Sequence, residues 1–239
     1  MGNGNNNGNN GKTQPLKKVR IDDLLTFSPI TDNQRKTYEA YRANQHLLLH
    51  GIAGTGKTFL SLYLALDELL SGMSQQEKIY IIRSVVPTRD MGFLPGSSRE
   101  KMKVYEAPYS AICTELFGRG DAYDILKTKN IIDFTSTSFV RGITMNNCFV
   151  IIDEINNMTF HELDSVITRI GKNCRVIFCG DFRQSDLLRE QERNGLKDFM
   201  RVIEKLDDFY YVDFLEKDIV RSKLVKEYII ARQNLGLQA

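Results

Sequence analysis

Cysteine is scarce in this chain, and none of its four copies sits in a C-x-x-C pair. Cys113, Cys148, Cys174 and Cys179 have no histidine cluster beside them. That spacing argues against a structural zinc site. Three of them lie in or beside apolar runs, where a free cysteine behaves as a small hydrophobe. The expectation is a reducing, cytoplasmic setting. No apolar run approaches the roughly 18 residues that cross a bilayer, so no membrane partner is expected. The first residues carry no signal-peptide core. They begin Met-Gly, but Asn6 breaks the myristoylation pattern. Net charge is +2, too small an excess of either sign to argue for or against nucleic acid.

What is present reads as an ordinary soluble domain. The hydrophobic fraction is 42% and the charged fraction 26%, which over 239 residues can build a sizeable core. Residues 1–15 are Gly/Asn low complexity and are expected to be a disordered tail. Residues 16–239 read as one domain.

Strands and helices then alternate. Apolar strand-like runs fall at 46–51, 78–83, 131–134, 148–154, 174–181 and 209–214. Helical periodicity falls from about Thr31, at 57–71, at 97–118 with an interruption near Pro108, at 159–170, at 194–206 and at 221–234. The runs at 148–154 and 174–181 are continuously apolar rather than alternating, which implies burial on both faces. Helices between such strands give a parallel sheet covered on two sides, an α/β fold built as a three-layer αβα sandwich.

The first chemistry-bearing motif is "HGIAGTGKT". Gly51, Gly56, Lys57 and Thr58 stand in the spacing G-x-x-x-x-G-K-[ST], after an apolar strand and at the start of a helix. In that context Ala53, Gly54, Thr55 and Gly56 wrap phosphates with backbone N–H groups, and Phe59 follows in the first turn of the helix. The helix N-terminus favours an anion. Lys57 reaches the β- and γ-phosphates, and the Thr58 hydroxyl is a Mg²⁺ ligand. ATP and Mg²⁺ are therefore the expected cofactors.

Two strand ends complete the pattern. "CFVIIDE" delivers Asp153 to the Mg²⁺ shell and Glu154 as a base for the attacking water. "CRVIFCGDFRQ" ends in Asp181 and then Gln184, at the carboxyl edge where ligands bind in open sheets. Gln184 there would sense the γ-phosphate.

Taken together, these stretches resemble the PhoH-like family of ATP-binding proteins. Its carriers are "GIAGTGKT", "IIRSVVP", "GFLPGSSREKM", "FVRG", "VIIDE", "TRIG", "GDFRQSDL" and "DIVRSKLV", spread over about residues 30–230. The resemblance implies a RecA-like P-loop NTPase domain, similar to one domain of a superfamily 1 helicase, with RNA-related ATPase or helicase roles. It implies that Gln34 reads adenine, although a plain surface glutamine fits the same text. Arg83, Arg141 and Arg169 fall in family-like stretches, as contacts to nucleic acid or nucleotide or as structural ion-pair partners. Asn156 stands where glutamine is more usual, which touches coupling to nucleic acid rather than ATP binding.

The chain has room for one RecA-like domain, whereas a translocating helicase uses two. "DIVRSKLV" resembles the stretch around an arginine that completes such sites. Arg221 is thus the candidate finger, acting in trans within a homo-oligomeric ring, or else a surface ion-pair residue. A basic channel could hold single-stranded RNA or DNA, with "PLKKVR" (15–20) and "TRDMGFLPGSSREKMK" (88–103), including Phe93, as the basic stretches. The expected activity is an ATP hydrolase coupled to single-stranded nucleic acid. A non-motor ATP switch acting on a protein partner, and less readily a small-molecule kinase, are the alternatives.

Overall fold

The computed structural model describes residues 19–85, 98–181 and 190–237. The expected tail 1–15, Gln184 and residues 88–97 of the second basic stretch lie outside the described residues.

Among the described residues six strands form one parallel sheet. They are β1 (His46–Gly51), β2 (Lys78–Arg83), β3 (Ile132–Ser136), β4 (Cys148–Asp153), β5 (Arg175–Gly180) and β6 (Phe209–Phe214), in the order β3-β2-β4-β5-β1-β6. All pairings are parallel. Every residue of β4 and β5 is buried, as continuous apolar runs require when both faces are covered.

The period of two sorts the strands into two cores. Leu47, Leu49, Phe149, Ile151 and Ile177 face one side. There they meet α1 (Asp32–Arg42), α2 (Lys57–Leu70), α3 (Ser98–Phe117) and α4 (Ala122–Thr128). Leu48, Val150, Ile152, Val176 and Phe178 face the other, against α5 (Phe160–Ile167) and α6 (Glu190–Ile203). The last helix, α7 (Lys223–Asn234), joins through a small cluster of Ile52, Ile219 and Ile229. The αβα sandwich expected from the sequence is present.

Local chemistry starts the helices where the sequence places them. The Thr31 hydroxyl accepts the Gln34 N–H at 3.3 Å and caps α1. Thr159 and Glu162 form a reciprocal capping box at α5. Two expectations need correction. Helix α3 runs unbroken through Pro108. Proline removes the donor to the Val104 carbonyl, but Val104 is half exposed, so water can replace it. Helix α4, seven residues with no strong period, adds an element beyond those the sequence pattern marks.

Register places the site. Leu49 pairs with Cys179 and His50 with Gly180, while Ile152 pairs with Phe178. The ends of β1, β4 and β5 therefore finish along one edge, with β5 between the phosphate-loop strand and the acidic strand.

Candidate nucleotide site

The loop after β1 turns into α2 at Gly56, whose φ of 83° lies in the left-handed region that glycine tolerates without cost. No side chain caps this helix, and its first turn holds no acidic residue. Its leading N–H groups and the positive end of its dipole are thus left for an anion. Lys57 Nζ donates to the Gly51 carbonyl at 2.6 Å, the Ile52 carbonyl at 2.9 Å and Thr55 Oγ1 at 3.4 Å. Burial pulls the Lys57 pKa down, while Cys179, Asp181, Glu154 and Asp153 push it back up. A cation held this way gains when a phosphate takes over from the carbonyls.

Asp153 ends β4 and is 5% exposed. Its two oxygens have separate donors: Thr58 O–H reaches Oδ1 at 2.9 Å, and Tyr109 O–H reaches Oδ2 at 2.9 Å. Thr58 and Asp153 together offer hard oxygen ligands. Among the described residues no group of three or more His, Cys, Asp and Glu could hold a metal alone. The two oxygens of Thr58 and Asp153 could hold Mg²⁺, which keeps several waters and takes one or two protein oxygens plus substrate phosphates.

Glu154 follows in a left-handed conformation, φ 54° and ψ 45°. A non-glycine residue held there stores strain that the surrounding fold must support. Burial and the neighbouring Asp153 raise its pKa, against Arg83, Lys57 and a hydrogen bond with Asn156. A half-buried carboxylate with a raised pKa is suited to accept a proton.

The tip of β5 explains why an apolar strand ends Gly-Asp. A Cβ at Gly180 would lie 2.6 Å from Ile155 Cγ1 and 2.9 Å from Asn156 Oδ1. Only glycine lets the β4 and β5 tips approach so closely. The Asp181 N–H donates to Asn156 Oδ1 at 3.2 Å. Asn156 therefore touches both Glu154 and the backbone that leads on toward Gln184.

Four expected site residues gain a location. Gln34 is 7% exposed rather than a surface residue. Its Oε1 accepts the Ile30 N–H at 2.9 Å, and its Nε2 donates to the Thr55 carbonyl at 3.4 Å. Phe59 stacks edge-on against Phe27, so its ring serves packing. Arg221 is exposed, yet its Cγ lies 3.0 Å and its Nε 3.8 Å from where a Gly54 Cβ would stand. The Val220 N–H donates to the Gly54 carbonyl at 3.1 Å. The segment before α7 is thus strapped to its own chain's phosphate loop. Ala53 is exposed on the same loop.

Arg83 ends β2 in register with Asp153. Arg141 is exposed on the turn after β3. Arg169 lies apart from both: its carbonyl accepts the Met145 N–H, ahead of the start of β4. Tyr109 is the site neighbour that sequence reasoning missed, and Asn156, marked there only for its departure from the usual glutamine, is found bridging Glu154 and Asp181. Nothing in "EAPYSAIC" pairs a tyrosine with a strand 44 residues away.

Comparison with known proteins follows the same lines. The family model described as PhoH-like protein matches residues 26–232. The PhoH-like protein of Mycobacterium leprae (strain TN) is 32% identical over 231 residues, covering 92% of this chain and 64% of that protein. Protein PhoH of Escherichia coli is 31% identical over 214 residues, covering 87% of this chain and 60% of that one. The chain thus spans less than two thirds of the length of these relatives. Among solved structures, the large terminase from a thermophilic bacteriophage, in complex with ADP, superposes with a TM-score of 0.52 at 13% identity, over 84% of this chain and 49% of that one. The shared feature is the fold, that of a RecA-like P-loop ATPase domain.

Proposed function

The chain belongs to the PhoH-like protein family, and from that premise we propose that it binds ATP with Mg²⁺, hydrolyses it, and couples hydrolysis to single-stranded nucleic acid. The observation that carries the hydrolase reading is the meeting of Thr58 with Asp153 beside the Lys57 loop.

The proposed division of labour is supported by where the described side chains lie. The amides of Gly54 to Thr58 and Lys57 Nζ hold the β- and γ-phosphates. Thr58 and Asp153 hold Mg²⁺, which when bound offsets negative charge on the phosphate oxygens. Tyr109 keeps the Asp153 carboxylate in place. Glu154 takes a proton from the attacking water as its oxygen bonds to the γ-phosphorus and the bond to the β-phosphate oxygen breaks. Gln34 supports the loop from the side on which adenine would sit. Gln184 is proposed to sense the γ-phosphate. Arg221 rests on Gly54 of its own chain, which favours service to that chain's nucleotide over delivery in trans. A ring is not needed for this role.

The nucleic-acid part has its own support. Phe139 is 62% exposed on the turn after β3, at the same sheet edge. The turn itself is firmly held: the Thr137 N–H donates to the Arg83 carbonyl and the Phe139 N–H to the Ser136 carbonyl. An exposed ring beside the exposed Arg141 offers a stacking face and a cation, the two elements a single strand uses.

The test is phosphate release by the full chain with and without single-stranded RNA or DNA. Stimulation that Lys57→Ala abolishes, and that Phe139→Ala removes while basal turnover persists, supports the reading. Lys57-dependent hydrolysis indifferent to both polymers would overturn the coupling and favour a switch acting on a protein partner.

A further inference from the structure

Two sulfur atoms sit together at the sheet edge opposite the nucleotide loop. Cys148 opens β4, and Cys174 immediately precedes β5. The pairing of Phe149 with Arg175 sets them side by side on neighbouring strands, and their Sγ atoms are 3.4 Å apart. Neighbouring strands run roughly 4.8 Å apart, within the Cα separation of about 4.4–6.8 Å that a disulfide spans.

The four cysteines are all free thiols but are not equivalent. Cys113, Cys148 and Cys179 are buried, whereas Cys174 is partly exposed. Burial pushes the Cys113 thiol up to about 12, and it raises Cys179 as well. Cys174 differs: its hydrogen bond with Cys148, in which either sulfur can be the donor, lowers it, and the same bond together with burial raises Cys148. Cys174 is thus the partly exposed member of the pair, its Sγ 3.1 Å from the Met145 carbonyl and a resolving sulfur already in contact.

We propose that Cys174 and Cys148 form a reversible oxidative modification site that takes a peroxide. The Cys174 thiolate attacks one peroxide oxygen, the O–O bond breaks, and hydroxide leaves, giving a sulfenic acid. The Cys148 sulfur then attacks the Cys174 sulfur. The S–S bond forms, the S–O bond breaks, and the oxygen leaves as water with the Cys148 proton. Two thiols lose two electrons, and hydrogen peroxide becomes two waters. The product staples the starts of β4 and β5. Asp153 lies five steps further along β4, about 17 Å at roughly 3.3 Å per residue, so nucleotide binding survives the oxidation.

The experiment exposes the full chain to hydrogen peroxide, quenches it in denaturant with an alkylating agent, and counts thiols. Two of the four thiols disappear and dithiothreitol restores them. Trypsin then yields peptide 142–169 joined to peptide 173–175, two hydrogens lighter than their sum. Cys174→Ser keeps its three thiols under the same exposure. Cys148→Ala leaves a sulfenic acid on Cys174 that dimedone traps, which keeps the test open if Cys174→Ser folds poorly. Survival of all four thiols at a peroxide dose that consumes free cysteine in the same tube overturns the proposal. So does loss at Cys113 or Cys179, or a Cys174 sulfinic acid beside an unreacted Cys148.

Discussion

Replacing Tyr109 by Phe removes one oxygen from the candidate site and leaves the ring. That ring is 1% exposed and packs 5.6 Å from Phe134, centroid to centroid, so the variant keeps its apolar contacts. What it loses is the 2.9 Å bond to Asp153 Oδ2. A hydrogen bond to a charged group contributes about 1.5–3 kcal/mol. At about 1.4 kcal/mol per tenfold, full expression in the holding of Asp153 weakens Mg²⁺-dependent nucleotide binding by about 10- to 150-fold. The assay is the affinity for a fluorescent ATP analogue, titrated with Mg²⁺ and again in chelator. The expected result is a loss confined to the Mg²⁺ arm, with chelator affinity unchanged. A merely structural tyrosine would lower both arms together, along with Tm. An unchanged Mg²⁺ arm would refute the claim that Tyr109 holds the metal-side carboxylate.

Gly180→Ala forces a methyl against Ile155 and Asn156. Overpacking costs about 1–3 kcal/mol, and about 2–4 °C of Tm per kcal/mol is expected at this size; an unmoved melting curve would contradict the close approach. Glu162 joins the tips of β2, β3 and α5. Burial raises its pKa, but hydrogen bonds from Thr137, Thr159 and Ser84 outweigh that and leave it lowered. A lowered folded-state pKa means stability present above the unfolded value, about 4.3, and lost as pH falls through the folded one. Glu162→Gln is therefore destabilised by about 1–3 kcal/mol at neutral pH, and its Tm converges on the wild type in acid. Parallel Tm curves across that range would count against the network. Mixing Lys57→Ala with Arg221→Ala chains distinguishes cis from trans: service in cis predicts no recovered hydrolysis, and recovery would restore the shared-site arrangement.

The phosphate loop, the acidic strand end and the parallel α/β fold were legible because each is written in local sequence. Spacing fixes which amides turn toward a phosphate, and continuous apolar runs mark doubly covered strands. Contacts between distant segments were not legible. The insertion of β5 between β1 and β4 is a matter of strand order, and it is what makes Gly180 and Asn156 neighbours. Tyr109 meets Asp153 because α3 crosses β4, a tertiary event with no periodic mark. Gln34 reads the same in text whether it faces water or a loop; only packing of α1 against the phosphate loop decides that it is buried. Pro108 signals a break by propensity, yet the helix tolerates it where water reaches the freed carbonyl. Arg221 reads in the sequence as a finger for a neighbouring subunit or a surface ion-pair residue; the strap from Val220 to Gly54, which no local pattern marks, sets it beside its own loop.

The central claim is that the Asp153–Glu154 strand end hydrolyses ATP held by the Lys57 loop. Phosphate release and ATP binding by Glu154→Gln, measured side by side with the wild type, test it most directly. The account predicts retained Mg²⁺-dependent ATP binding with turnover lowered by about 10²- to 10⁴-fold, the range a positioned base contributes. Wild-type turnover in Glu154→Gln would contradict it.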